Sequence, residues 1–458
     1  MGFIMKKNSV LSIFGVLLLL GCIVACSSSK GGSEGGGGGS NGGGGGSKDG
    51  PFDTFITCEF VNSTSGGETY GNDKIWVTAY SKDESGAFFS IDLNDDGVGS
   101  RVYAKAAYQQ LISRNLEYIS ARGGLKLPVY TNGARLYISY GDSAIFIQYV
   151  DTPVGLGVEG PAIANGEWGT KIWDFIEFAA VKPDGVDFNV NTSTVDSFCI
   201  PIQIELKNAI GTSLGTRGIN KSRSYVFSQW EASTMPDAFK KLVYKDGGTY
   251  IRIISPGPIA TAASISADGD FKYLKDYLHN LDGTSLVGIQ NSLKEFLNST
   301  LNTMWGNHTS SGAGLSFVDG GKTYTCWAEG SDWLFSTDGG STNDKIVNLK
   351  VGSDSSCIWG CSGPLECQPG EDEKNTVKKF LAAAFNRGMV TQGWDDTDGS
   401  KYYKPDGSGG VYNHYSKFFH RTDVSPDGKA YGFSFDDVHD KNSSIGNAST
   451  KKMIITVR

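Results

Sequence analysis

Apolar and polar positions alternate with a period of two along the first half of the chain, then shift to a period near 3.6. The segments Ile75–Tyr80, Ala87–Ile91, Gly133–Tyr140, Ala144–Tyr149 and Tyr250–Ile254 are short and rich in β-branched and aromatic residues. That pattern predicts strands. Asp96-Gly97, Asn132-Gly133, Asp184-Gly185 and Asp246-Gly247 supply turn chemistry around them. Helices are expected later. Phe271, Leu274, Tyr277, Leu278 and Leu281 share one helical face, and Leu286 to Trp305 forms a second amphipathic stretch. Val377, Phe380, Leu381, Ala384 and Phe385 mark a third, which stops at Gly388 as a C-terminal cap. Aromatic, strand-like segments follow and end in Lys452–Val457. The order predicts a mainly β chain with an α/β part: a β-barrel or sandwich domain packed on a mixed α/β domain, with a wide groove between.

The first fifty residues follow other rules. Lys6 and Lys7 precede an apolar run from Val10 to Leu20, shorter than the about twenty residues that span a bilayer. A charged start and a short apolar core read as an export signal. Ile23-Val24-Ala25-Cys26 reads as a lipobox, whose cysteine thiol is acylated and becomes the new N-terminus. Leu19-Leu20-Gly21-Cys22 is a second match, but the polar run Ser27-Ser28-Ser29-Lys30 stands directly behind Cys26. Residues 31–50 are almost all Gly and Ser, a flexible coil spanning roughly 27 Å when counted from Ser27. The expected organisation is a lipoprotein signal peptide over 1–26, a linker over 27–50 and a β domain over 51–260. A mixed α/β domain over 261–400 and returning C-terminal strands over 401–458 complete it. The expected location is a bacterial cell envelope (outer membrane or cell surface), with membrane contact through the lipid anchor only.

Charge and cysteines narrow the function. A net charge of −8 argues against a nucleic-acid partner. Charged residues at 20 % and aromatics at 12 % suit an exported protein that handles neutral polymers. Cys357, Cys361 and Cys367 lie close together with Cys326 upstream, and in an oxidising compartment they predict two disulfides. Zinc is the rival reading, which the C-x3-C-x5-C spacing fits poorly. Asp92-Leu93-Asn94-Asp95-Asp96-Gly97 opens like a calcium loop, yet position twelve is Tyr103 rather than Glu, so a β-turn is expected. His279, His308, His414, His420 and His439 have no ligand spacing. No metal and no cofactor are expected, and the chain is taken as a monomer.

Two carboxylates stand out. In Trp173-Asp174-Phe175-Ile176-Glu177-Phe178, Glu177 shares a strand face with Trp173 and Phe175, while Ile172, Ile176 and Phe178 take the other. An acid among rings is expected to have a raised pKa, as a general acid needs. Farther on, Asp196, Phe198, Ile200, Ile202, Ile204 and Leu206 read as one face of a strand, apolar except for the aspartate at its start. One drier and one wetter carboxylate on neighbouring strands is the pairing glycoside hydrolysis uses. Two ordinary rim residues remain the bland alternative.

These segments resemble the signature of glycoside hydrolase family 64, the laminaripentaose-producing β-1,3-glucanases: an acid in a D-F-x-E-F strand, then N-x-T-x-V-D before another. Lys74 to Asp96, Arg135 to Ser139 and Leu381 to Gly388 match in order, and Tyr431 to Val438 is similar to a late segment shared with thaumatin-like proteins. The resemblance implies a thaumatin-like β domain. It also implies inverting cleavage of β-1,3-glucan, with Glu177 as general acid and Asp196 as general base. Asn191, Ser193, Thr194, Asp436 and Asp437 are the candidates for substrate contact. Ala179 and Ala180 depart from the polar residues expected after the acid, and no Trp lies between Glu177 and Asp196. A thaumatin-like surface lipoprotein that binds β-glucan without cutting it is therefore the alternative, and a structural surface protein the third.

Overall fold

Apolar alternation along first-half strands, joined by the C-terminal strand, builds two large sheets that share one core. The computed structural model describes residues 55–458 except 66–67, 84, 92–100, 129–130, 154, 181–187, 263–264, 266–268, 311–313, 331, 338–343, 348–354, 391–398 and 405–410. The lipobox with Cys26, the linker, the Asp92–Gly97 turn and Asp184-Gly185 lie outside the described residues.

The larger sheet has eight strands. Its order runs Ile445–Asn447, Phe188–Thr192, Ile172–Ala180, Thr131–Tyr140, Ile75–Lys82, Phe88–Ile91 and Arg101–Tyr103, with Ser113–Asn115 also paired to Ile75–Lys82. The second sheet has five, in the order Ser213–Gly218, Ile202–Lys207, Lys452–Val457, Phe55–Asn62 and Leu125–Pro128. Period-two burial places Val77, Leu136, Ile138, Ile176, Phe178 and Val190 of the first sheet in one apolar cluster with Ile56, Ile204, Leu206, Met453 and Ile455 of the second. Each such side chain contributes about 1.5–3 kcal/mol on burial. The C-terminal strand sits at the centre of its sheet, parallel to Phe55–Asn62 and antiparallel to Ile202–Lys207.

Smaller elements complete the molecule. Ser197–Phe198, Thr249–Ile254 and Val243–Asp246 form a three-stranded sheet, and Leu315–Val347 contributes a four-stranded one. The predicted third helix runs Asp372–Asn386 and ends as expected. Gly388 takes φ 72, its N–H donates to Phe385 O, and the Met389 N–H donates to Ala384 O, so the left-handed residue closes the orphan carbonyls. Phe380 of this helix stacks on Phe317 of the four-stranded sheet at 4.0 Å between centroids.

Several expectations are corrected. The sheets are open, with no closed barrel among the described residues. The stretch from Leu286 to Trp305 is two helices, Leu286–Glu295 and Asn298–Asn307. Strand pairing near Ala144–Tyr149 begins only at Gln148, although Ile145 and Ile147 are buried. Residues 411–444 hold the helix His414–Phe419 and turns rather than strands. Their aromatic rings fill the space around that helix, as with Phe418 against Trp230 at 5.0 Å. Most consequential, Asp196–Leu206 is not one strand. Ser197–Phe198 pairs in the three-stranded sheet, the chain then crosses, and Ile202–Lys207 pairs in the five-stranded sheet. No disulfide joins the described cysteines. Cys326 is packed in the four-stranded sheet, and the Cys361 thiol faces the backbone N–H groups of Ser434 and Phe435.

Candidate active site

One row of side chains crosses the large sheet. Strand register sets Tyr80 opposite Arg135, Arg135 opposite Glu177, and Glu177 opposite Asn191. Directly paired residues point to one face, so the four line up. The alternation expected for the Glu177 strand is observed: Phe175, Glu177 and Ala179 are half-buried, while Ile172, Asp174, Ile176, Phe178 and Ala180 are buried.

Glu177 is not merely an acid among rings. Arg135 donates from Nη2 at 3.0 Å and Nε at 3.2 Å, both to Oε1. Its guanidinium also lies 4.7 Å from the centre of the Phe175 ring. In the sequence Arg135 opens one of the segments that carry the family resemblance. Its signal was a lone cation inside the apolar run Ala134-Arg135-Leu136-Tyr137-Ile138.

Asp196 lies just past the end of the strand beside Glu177. Its side chain meets solvent, yet surrounding protein pushes its pKa up through desolvation; Arg135 pulls it down and the Glu177 charge raises it further. The structure therefore brings Glu177, Arg135 and Asp196 within electrostatic range of one another. Local bonds fix the backbone here: the Ser255 N–H donates to Asp196 O at 2.9 Å, and Arg252 Nη1 donates to Ser197 Oγ at 2.8 Å.

The other candidates divide. Asn191 is buried, and its Oδ1 has no hydrogen-bond partner among the described residues. Ser193 Oγ accepts the Val195 N–H at 3.4 Å within the local turn, and Thr194 Oγ1 donates to Tyr431 O at 2.9 Å, tying the turn to the distant 431–438 segment. Asp436 lies inside the protein, 0 % exposed, rather than where a substrate could touch it. It accepts from Arg387 Nη2 at 2.9 Å, His420 Nε2 at 2.8 Å and the Gly432 N–H at 2.8 Å. Asp437, its neighbour, is exposed, with a pKa raised mainly by desolvation and lowered by Lys379. The charges of Asp437 and Glu177 both raise the pKa of the Tyr431 phenol, after burial itself. Its phenol thus lies within electrostatic range of both carboxylates. No cluster of three or more metal-ligating side chains occurs among the described residues.

Comparison with known proteins gives a consistent picture. The sequence model of glycoside hydrolase family 64, described as β-1,3-glucanase, matches residues 55–281 and 281–457. Among solved structures, a family 64 β-1,3-glucanase domain from Clostridium beijerinckii is 25 % identical with a TM-score of 0.68, covering 90 % of this chain and 100 % of that one. A laminaripentaose-producing β-1,3-glucanase in complex with laminaritetraose is 20 % identical with a TM-score of 0.64, covering 88 % and 98 %. A family 64 enzyme of the same kind from Paenibacillus barengoltzii, complexed with laminarihexaose, is 21 % identical with a TM-score of 0.52, covering 88 % and 74 %. None of the curated proteins matches.

Proposed function

Since the chain belongs to glycoside hydrolase family 64, the β-1,3-glucanases, we propose that it hydrolyses β-1,3-glucan by single displacement, with Glu177 as general acid and Asp196 as general base. The observation that carries this reading is the electrostatic grouping of Glu177, Arg135 and Asp196. Arg135 engages Oε1 of Glu177 only, which leaves Oε2 to carry a proton toward the glycosidic oxygen. Asp196 takes a proton from the attacking water. A raised pKa makes its carboxylate a stronger base once ionised, and general acid–base help is worth about 10²–10⁴-fold. Single displacement needs roughly 6.5–9.5 Å between the two carboxyl groups to admit that water. A neutral polymer as substrate accords with the low charge of the chain.

The test uses linear β-1,3-glucan, a reducing-end assay and a polymer-binding assay. Glu177→Gln and Asp196→Asn should each lower turnover about 10²–10⁴-fold while binding survives. An activated aryl glycoside hardly needs a protonated leaving group, so it should restore Glu177→Gln more than Asp196→Asn. The first-formed anomer, read by NMR, should be inverted. Near wild-type polymer cleavage by both variants would reject the pair; binding without cleavage by the wild type would favour the glucan-capture alternative.

A further inference from the structure

The acid–base pair leaves one buried carboxylate unused. Asp174 lies three residues before Glu177 on the Ile172–Ala180 strand, 4 % exposed. An odd separation turns it to the opposite face, into a core where ionisable groups are rare unless partnered. Its Oδ2 accepts the N–H of Cys199 at 2.7 Å and of Ile200 at 2.6 Å. Both donors are buried, and both sit where the chain has left one sheet at Phe198 and not yet entered the next at Ile202. No ladder serves them there, and a buried N–H without a partner is costly.

The connectivity gives this contact a consequence for the groove. Cys199 lies three residues after Asp196, as Asp174 lies three before Glu177. Upstream, Thr192 pairs with Ile176 of the same strand. Asp196 thus rides on a short span, 192–199, whose two ends are both held by the strand that carries Glu177. Other bonds tie the span elsewhere: Ser255 and Arg252 hold it to the three-stranded sheet, Thr194 donates to Tyr431 O, and the Tyr415 hydroxyl donates to Thr194 O.

We propose that Asp174 is a positioning residue for catalysis: by clipping the Cys199–Ile200 backbone to the Glu177 strand, it sets the separation of Glu177 and Asp196. The inference rests on the assignment of that pair. A single oxygen shared by two successive N–H groups is a rigid anchor, and charge strengthens it. Around Asp174 stand Arg252, Arg223, Tyr140, Tyr415 and Cys199. Burial pushes its own pKa up to about 7, against the pull of the two N–H donors and the two guanidiniums. Burial also lifts the Cys199 thiol to about 11 and both tyrosines above their ordinary value, so Asp174 is the member of this group that changes charge near neutrality.

The experiment compares Asp174→Leu, which keeps size but removes the acceptor, with Asp174→Asn, whose one carbonyl oxygen can still accept both bonds. Both are made in the full chain beside Glu177→Gln, and kcat, KM, polymer binding and the pH profile are measured. Misplacing a catalytic group by about 1 Å costs around 10²-fold. Asp174→Leu should therefore lose about 10–10²-fold in kcat with KM within about twofold, while Asp174→Asn stays within about threefold and loses the kcat limb near pH 7. A folded Asp174→Leu with wild-type kcat overturns the proposal, as does a loss carried by KM. Should Asp174→Leu fail to fold, Asp174→Ser, whose shorter side chain cannot reach the Cys199 and Ile200 N–H groups from the same strand position, replaces it under the same readout, and wild-type kcat there overturns the proposal. Failure of the pair itself shows separately, as undiminished turnover by Glu177→Gln.

Discussion

Two buried aspartates have opposite linkage between charge and stability. Asp436 has its pKa lowered below the ordinary 3.8: the His420 charge and hydrogen bond, Arg387 and the Gly432 N–H together outweigh the desolvation that would raise it. A depressed folded value stabilises the protein above the unfolded pKa, and this contribution is lost as pH falls through the folded value. Asp436→Asn also leaves Arg387, itself buried, without its carboxylate, a loss of about 3–5 kcal/mol for a broken buried pair. Melting curves should therefore show a large deficit for Asp436→Asn at neutral pH that narrows below about pH 4. A deficit constant from neutral pH down to acid would mean the carboxylate charge is not what holds Arg387. Asp174, raised to about 7, has the reverse sign, since its folded form must ionise in a dry place as pH climbs from the unfolded value. Asp174→Asn should gain stability relative to wild type above neutral pH and gain none near pH 4. Little of this was legible beforehand. Glu177 and Asp196 stood out because carboxylates interrupt apolar alternation. Arg135, 42 residues from Glu177 in sequence, and Asp174, whose partners are backbone N–H groups, depend on strand register, which composition does not encode.

Whole elements were more legible where the burial pattern is local. The Ile75–Lys82 and Thr131–Tyr140 strands and the helix capped at Gly388 follow from period and cap chemistry alone. The crossing at Cys199–Pro201 did not: apolar residues recur at Phe198, Ile200, Ile202 and Ile204 in the sequence as if along one strand, while in the fold burial is unbroken from Ser197 to Ile202 as the chain changes sheets. Periodicity reports which face is dry, not which neighbour is paired. The C-terminal strand is the element whose removal should be most damaging. Met453, Ile455 and Val457 are fully buried, at about 1.5–3 kcal/mol each, and Lys452–Val457 bonds to strands on both sides. Their sum is comparable to the about 5–15 kcal/mol that separates folded from unfolded domains. Deleting residues 451–458 should abolish the cooperative thermal transition and yield aggregate. A truncated chain that melts within a few degrees of wild type would mean the five-stranded sheet closes without its middle strand.

At the scale of the whole molecule, the catalytic body and the N-terminal fifty residues raise separate questions, and one substitution separates them. A β-1,3-glucan is a large polymer that diffuses slowly, so an enzyme held at an envelope gains by reaching outward. We propose that lipid on Cys26 supplies the hold, with the Gly/Ser linker giving a reach of roughly 27 Å. Each methylene of an acyl chain buried in the bilayer contributes about 0.8 kcal/mol, so removing the attachment point should shift the protein decisively out of the membrane fraction. Cys26→Ser should abolish incorporation of labelled fatty acid and appear as soluble or unprocessed chain. Turnover of soluble glucan by any folded, exported material should be unchanged, because Glu177, on the Ile172–Ala180 strand, and Asp196 lie far along the chain from Cys26. Labelled Cys26→Ser protein would move the attachment to Cys22, and the double variant would then be the unlabelled one. Label persisting in the double variant would reject the lipobox reading outright and leave the assignment of Glu177 and Asp196 untouched.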